Sequence, residues 1–243
     1  MRSYWNIDNS YSQISVEELR RKAEESIKKA EKKGKQMEPV ITSGRQICKS
    51  WWGQAWCSNL EQYADFSSRL DRGKRYVRSG AVIDLKVLKG KIEARVQGTR
   101  RTPYKVKIQI SPLSEDRCQE IIKKCGRKII NMEALIHGTI PNELKELFTG
   151  NHGLFPSPKE ISFQCSCPDW ALMCKHVAAV MYGIGVRVDQ NPFFFFELRG
   201  IDVDRFIDVT LENKVEAMLK NATKPSNRIM DDEEVLSVFG LEL

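Results

Sequence analysis

The sequence predicts an α+β fold: N-terminal helices with an antiparallel β-meander, followed by a metal-clipped finger and a mainly helical C-terminal part. Three observations carry this prediction. Apolar residues recur at helical spacing near the N-terminus, and residues 76–110 switch to a period of two. Residues 165–176, Cys-Ser-Cys-Pro-Asp-Trp-Ala-Leu-Met-Cys-Lys-His, then gather three thiols and one imidazole ahead of a short apolar run.

The first helix spans about residues 15–33. Ser15 stands three residues before Glu18, a capping box, and Val16, Leu19, Ala23, Ile27 and Ala30 form the apolar stripe. Gly34 ends it, and residues 36–44 form a connection. A second helix over residues 50–63 places Trp52, Trp56, Leu60 and Tyr63 on one side. Trp51, Trp52 and Trp56 read mainly as core, with Trp51 the more exposed.

Residues 76–110 read as strands. Val77, Ser79, Ala81, Ile83, Leu85 and Val87 alternate with Arg78, Gly80, Val82, Asp84 and Lys86. After Lys89-Gly90, Ile92, Ala94 and Val96 alternate with Lys91, Glu93, Arg95 and Gln97. Beyond a Gly-Thr-Arg-Arg-Thr-Pro loop, Tyr104, Val106, Ile108 and Ile110 alternate with Lys105, Lys107 and Gln109. Such alternation broken by short Gly and Pro turns predicts an antiparallel meander of three strands or more, one face buried and one wet.

Residues 114–133 predict another helix and 141–148 a shorter one, with a Gly/Pro-rich link at 150–159. Residues 177–184 should form a helix after the last metal ligand. Further helices are expected near 211–220 and 231–239, the latter opened by the acidic turn 231–234, which complements a helix dipole. The aromatic run 193–196 either packs onto the finger helix or presents a docking patch. These divisions suggest an N-terminal helical segment (1–45), a basic α+β domain (46–150), a zinc finger (151–186) and a C-terminal helical segment (187–243).

The four donors Cys165, Cys167, Cys174 and His176 carry the most specific chemistry. Thiolate and imidazole are the preferred ligands of Zn2+, and four of them close a tetrahedral site. Cys165 and Cys167 lie two apart and point the same way on a strand, while Cys174 and His176 open the next helix. Pro168 and Asp169 suit the turn between them, Val177, Val180 and Met181 would pack beneath, and Lys175 would offset the thiolate charge. A closed ligand set leaves no position for water or substrate, so one structural Zn2+ is expected. Three chance cysteines beside a core histidine are a poor account of four donors in twelve residues. A redox role is disfavoured because no Cys-x-x-Cys pair occurs. Cys48, Cys57, Cys118 and Cys125 read as small buried hydrophobes or bystander thiols. His137 and His152 stand without recognisable partners.

Charge supplies the second signal. The 243-residue chain carries a formal net charge of +7. Residues 1–111 hold 24 Lys and Arg against 12 Asp and Glu, whereas residues 112–243 hold 15 against 20. Within 69–107 there are 13 cations against Asp71, Asp84 and Glu93. A concentration of this kind suggests a polyanionic partner. Lys86, Lys91, Arg95, Lys105 and Lys107 share the polar parity of the meander with Arg78. Arg75 enters the first strand, and Arg100 and Arg101 sit in the adjoining loop. Tyr76 and Tyr104 are nearby stacking candidates. The competing account is a solvated sheet face whose edge lysines discourage aggregation. Asp84 and Glu93-Ala-Arg95 faintly resemble the carboxylate pattern of metal-dependent nucleases, but Arg95 stands where such sites want a lysine. The two acids are better read as cross-strand partners of neighbouring cations.

The metal spacing resembles the SWIM-type zinc finger, Cys-x-Cys followed by Cys-x-His. Further blocks are similar to a prokaryotic family of SWIM zinc-finger proteins: Trp51-Trp52-Gly53, Tyr76-Val-Arg-Ser-Gly80, Ala94-Arg-Val-Gln-Gly98, Thr102-Pro-Tyr-Lys-Val-Lys-Ile108, Leu154-Phe-Pro-Ser-Pro158 and Asn191-Pro-Phe. Together with the finger and Leu198-Arg-Gly200 they cover about residues 50–200. The resemblance implies association with Swi2/Snf2-like helicase ATPases and a finger that binds DNA or protein.

The expected function is therefore a non-enzymatic, zinc-binding, nucleic-acid-binding accessory protein, with DNA expected before RNA and a helicase ATPase as protein partner. The alternative is a protein-interaction module that docks on such an ATPase without touching nucleic acid. No small-molecule substrate and no membrane are expected. The absence of an apolar export segment points to the cytoplasm, with nucleoid association.

Overall fold

The structure is a computed structural model and describes residues 14–42, 44, 46–128, 144–150 and 152–222. His137, the acidic turn 231–234 and the helix expected at 231–239 lie outside the described residues. So do positions 129–133 and 141–143 of two other expected helices.

The first helix, α1 (Val16–Glu31), starts where the capping box places it: the Ser15 hydroxyl accepts the Glu18 N–H at 3.1 Å. Its stripe buries Leu19 and Ala23. The chain then runs along the outer strand of the sheet. Val40 donates its N–H to Val82, and Glu38 accepts from Leu85. Those bonds cover an edge that would otherwise offer unpaired backbone groups to other chains.

In α2 (Trp51–Asn59) Ser50 is the cap, and the indoles of Trp52 and Trp56 are buried. Each indole N–H finds a carbonyl, of Val188 at 3.0 Å and Met181 at 2.9 Å, so the large rings enter the core without an orphaned donor. Trp51 is half-buried and meets Trp52 and Phe148 edge to face.

The next element corrects the sequence reading. Residues 67–78 form α3 (Ser67–Arg78), so Arg75, Tyr76, Val77 and Arg78 belong to a helix and not to the first strand. Leu70, Gly73, Tyr76 and Val77 recur at helical spacing and are buried together. That longer pattern outweighs the brief alternation beginning at Val77. Gly80, with φ of +72°, turns the chain out of the helix.

Strands β1 (Val82–Leu88), β2 (Lys91–Val96), β3 (Tyr104–Ile110) and β4 (Ile161–Cys165) form a four-stranded antiparallel sheet in sequence order. The register slips at Ile83, where Val82 pairs with Val96 but Asp84 pairs with Arg95. This bulge reverses the parity expected for the start of β1 and gives Val82 the core-facing place assigned to Ile83. From Leu85 onward the expected parity holds.

On the apolar side lies α6 (Lys175–Gln190), the central helix of the molecule, in which twelve residues are buried. It runs well past the expected 184. A Cβ on Gly73 would sit 2.6 Å from that of Ala178, so α3 and α6 touch at backbone distance. Around this centre stand α4 (Glu115–Lys128), the single turn α5 (Lys145–Thr149), α7 (Phe194–Leu198) and the long α8 (Val203–Ala222). Phe195 and Phe196 are 1% exposed, and Phe195 packs among Trp56, Phe148 and Phe155. The second half of the aromatic run is core, and Phe193 and Phe194 are partly buried against it. One connected hydrophobic core reaches from Leu19 to Ile201. Cys118 and Cys125 lie in it, and Cys48 is buried with its sulfur 3.3 Å from that of Cys57. Among the described residues no helix is long and apolar enough to cross a membrane.

Candidate metal centre

Strand β4 ends at Cys165, and the ladder continues one residue beyond it. Ser166 exchanges hydrogen bonds with the Lys105 backbone, its N–H donating at 3.0 Å and its hydroxyl accepting at 2.9 Å. This fixes the Cys165–Cys167 step against β3. The loop to Cys174 is tied down by two carboxylates: Asp169, read from the sequence as a turn residue, and Asp65, which sequence reasoning missed. Asp169 accepts from the Ala171 N–H and the Arg69 guanidinium, while Asp65 accepts from the Leu172 N–H at 2.9 Å. Asp65 is distant in sequence from the loop it anchors, as Arg69 is from Asp169, and only the turn-forming tendency of Asp169 was visible. Cys174 is the N-cap of α6, and His176 lies in its first turn.

The ligand atoms of Cys165, Cys167, Cys174 and His176 all lie within 4.8 Å of one another. Thiolate–zinc bonds of about 2.3 Å in a tetrahedron place sulfurs roughly 3.8 Å apart. Nδ1 of His176 is 3.9 Å from the sulfurs of both Cys165 and Cys174, so Nδ1 is the donor atom of the set. The four residues fit one structural Zn2+. Val177, Val180 and Met181 are buried beneath it, as expected.

The electrostatics ask for a cation. Hydrogen bonds from Cys165, His176 and the Val177 backbone draw the Cys174 thiol down to about 3 despite its burial. The same Cys165–Cys174 bond, together with burial, pushes Cys165 up, and burial raises Cys167 as well. Buried and crowded together, the three thiols resist ionising all at once without a cation. A divalent ion reverses this by balancing all three charges at once. Burial holds His176 below the ordinary imidazole range, which keeps the ring neutral as a ligand must be.

The His176 ring is locked in place. Tyr104 stacks on it at 4.1 Å and 25°, and Tyr76 meets it edge to face at 5.5 Å. Both tyrosines are buried, so neither is open to stack on a base, contrary to the sequence reading. Gly98 leaves the room this stack needs: a Cβ there would lie 2.6 Å from the Tyr104 ring.

The eight basic residues singled out in the sequence divide. Lys86, Arg95, Lys105 and Lys107 lie together on the open face of the sheet, in register as Lys86–Glu93–Lys107 and Arg95–Lys105. Arg100 and Arg101 sit in the loop between β2 and β3, the Arg100 guanidinium 5.4 Å from the Tyr104 ring. Arg75 and Arg78 are on α3, in the helical layer behind the opposite face. Asp84 faces Arg95 across the strands at 3.9 Å, as expected, whereas the ion pair of Glu93 at 2.5 Å is with Lys91 of its own strand; its cross-strand neighbours are Lys86 and Lys107. Lys91, assisted by Lys107 and Lys86, holds the Glu93 carboxyl below its usual range.

Comparison with known proteins agrees with this geometry. Residues 164–183 match the SWIM zinc finger model. The uncharacterized protein Rv2102 of Mycobacterium tuberculosis is 34% identical over 156 residues, 63% of this chain. That alignment spans 56% of the length of Rv2102. No solved structure matches.

Proposed function

We propose that this protein is a zinc-clipped, non-enzymatic accessory module that holds nucleic acid, DNA before RNA, on the open face of its sheet. The observation that carries this is the composition of that face. Among the described strand residues of that face, Lys86, Lys91, Arg95, Lys105 and Lys107 stand against Asp84 and Glu93, and Asp84 is 8% exposed. Zinc ties the end of β4 to the start of the central helix and so stiffens the sheet that presents these charges. No side chain pattern for base readout accompanies them, which favours backbone-directed binding.

Fluorescence titration of labelled DNA and RNA oligomers tests this. Five phosphate contacts imply that raising salt from about 50 to 200 mM weakens binding roughly a hundredfold or more. Absence of binding at low salt would refute the reading, as would binding indifferent to Lys86→Ala, Arg95→Ala and Lys107→Ala.

A second reading, docking on a Swi2/Snf2-like ATPase, is favoured by one feature of the finger loop. Trp170 is 83% exposed and meets Phe66 edge to face, with Leu172 66% exposed beside it in sequence. Under that reading Trp170→Ala abolishes co-purification with the ATPase and leaves oligonucleotide affinity unchanged.

A further inference from the structure

A second basic feature lies at the edge of the sheet, and part of it comes from the N-terminal helix. Along α1 the residues Ser26, Lys29 and Ala30, and Lys33 in the turn just after it, continue the side that begins with the buried Leu19 and Ala23. Past Ala23 this side lines an open cleft of about 250 Å3. Lys29, Lys33 and Lys35 line it from the α1 side, and Arg95 and Arg101 line it from β2 and the β2–β3 loop. Its apolar lining comes from Ile83, Met37 and Pro103. The bulge at Ile83 contributes to this shape.

The cleft is preformed. Ser26 donates its hydroxyl hydrogen to the Gln97 side-chain oxygen at 2.7 Å, and Lys22 bonds the Thr99 carbonyl. Asp84 accepts the Glu38 N–H at 3.1 Å and so pins the chain just after Lys35. No acidic side chain among the described residues lines the cleft. Among the described residues, Lys29, Lys33, Lys35 and Arg101 have no ion-pair partner, and Arg95 has only the loose contact with Asp84. Converging like charges destabilise a fold unless an anion relieves them. Lysines act as adaptable point charges for phosphate, and the two arginines add bidentate donors.

We propose that this cleft holds a phosphodiester segment of nucleic acid, as an extension of the sheet-face site. This deepens the reading under Proposed function and rests on it. Arg95 belongs to both surfaces, because it also pairs in register with Lys105 on the open face. One backbone thus runs from Lys29, Lys33 and Lys35 past Arg95 and Arg101 onto Lys105 and Lys107. The cleft is too small for a duplex and admits one strand, whether free or one of a pair.

The test is a salt titration of the full chain with a single-stranded oligonucleotide and with a duplex. Lys29→Ala, Lys33→Ala and Lys35→Ala are combined in one variant, all three being exposed residues. A charge-matched control combines Arg20→Ala, Lys28→Ala and Lys32→Ala, exposed on α1 but outside the cleft. The cleft variant is expected to lower the slope of log affinity against log salt by about 2 for a single strand and nearly 3 for a duplex. For a single strand that means roughly 16-fold less salt sensitivity over a fourfold range. A drop in either arm supports the cleft and identifies the strand state it takes. An equal drop in the control overturns it, since general charge would then explain the effect. If the cleft variant binds as wild type while Lys86→Ala/Lys107→Ala loses affinity, the cleft falls and the sheet reading survives. If wild type binds neither oligonucleotide, both fall.

Discussion

Gly98→Ala is the sharpest single perturbation of the metal centre, because it inserts one methyl group into the stack that orients His176. The added Cβ would lie 2.6 Å from one Tyr104 ring carbon, 3.2 Å from another and 3.3 Å from His176 Nε2. Carbon–carbon contact is comfortable at about 3.5–4.0 Å, so the ring must retreat by roughly 1 Å. It has nowhere to go. Tyr104 is 7% exposed, its backbone is paired with Val96, and His176 lies 4.1 Å behind it. Overpacking of this kind costs about 1–3 kcal/mol. Part of that falls on the imidazole as tilt away from the three sulfurs, and groups that orient a metal ligand are worth about 10–100-fold in affinity. Competition against a chromophoric chelator is expected to show zinc affinity reduced by about tenfold or more. Adding Tyr104→Leu in the same chain should relieve the clash and recover thermal stability, but not the share of zinc affinity that the stacked ring supplies by orienting His176. Unchanged zinc affinity and unchanged thermal stability in Gly98→Ala would refute the packing argument.

Other perturbations have equally definite outcomes. Cys165→Ser should leave well under one zinc per chain by elemental analysis, and chelation of the wild type should lower its melting temperature, since metal binding supplies folding free energy. Acid should also strip zinc as protons compete for the thiolates. In chelated protein the depressed His176 adds a further penalty: as pH falls from the ordinary value of about 6.5 toward the lower folded one, the unfolded state takes up the proton first, so urea midpoints should decline across that window. Arg199 is fully buried and bonds Glu160 at 2.5 Å and the Ser111 carbonyl at 2.7 Å. Glu160→Ala should therefore cost about 3–5 kcal/mol in urea unfolding, and Glu160→Ala with Arg199→Met much less, because the stranded charge is then gone.

The parts of this fold that local pattern controls were legible in the sequence. The α1 cap, the alternation in β2 and β3 and the four zinc donors are written in spacing alone. What local pattern misassigned was residues 76–83. Val77, Ser79 and Ala81 alternate as a strand should, yet Leu70, Gly73, Tyr76 and Val77 also fit a helix. The decision rests on Gly73 meeting Ala178 a hundred residues later, which no local window contains. The same holds for the bulge at Ile83, whose side chain lines the cleft beside α1. Tyr76 and Tyr104 looked like stacking groups because aromatic rings among cations are ambiguous until burial is known. Asp65 left no signal at all, since a carboxylate that ties down a distant loop has no characteristic spacing, and Arg69 showed only as one of a run of cations.

The position of the zinc determines what its loss would do. A finger on a flexible arm could come apart without consequence for the remainder of the chain. Here Cys165 ends β4, which pairs with β3, Cys167 follows just beyond it, and the last two donors open α6, on which α2, α3 and the sheet all pack. The His176 ring is itself pressed between Tyr76 of α3 and Tyr104 of β3. Releasing the ion leaves up to three thiolates to be neutralised inside that junction, and repulsion must be relieved by protonation or by separation of the strand from the helix. Separation would loosen β3, and β3 carries Lys105 and Lys107. Zinc removal should therefore weaken oligonucleotide binding although no ligand of the metal belongs to the basic face. The loss should follow the unfolding of α6 and not the mere presence of chelator. Protein that keeps full affinity after complete, spectroscopically verified zinc loss would separate the two halves of this argument, leaving the basic face independent of the clip.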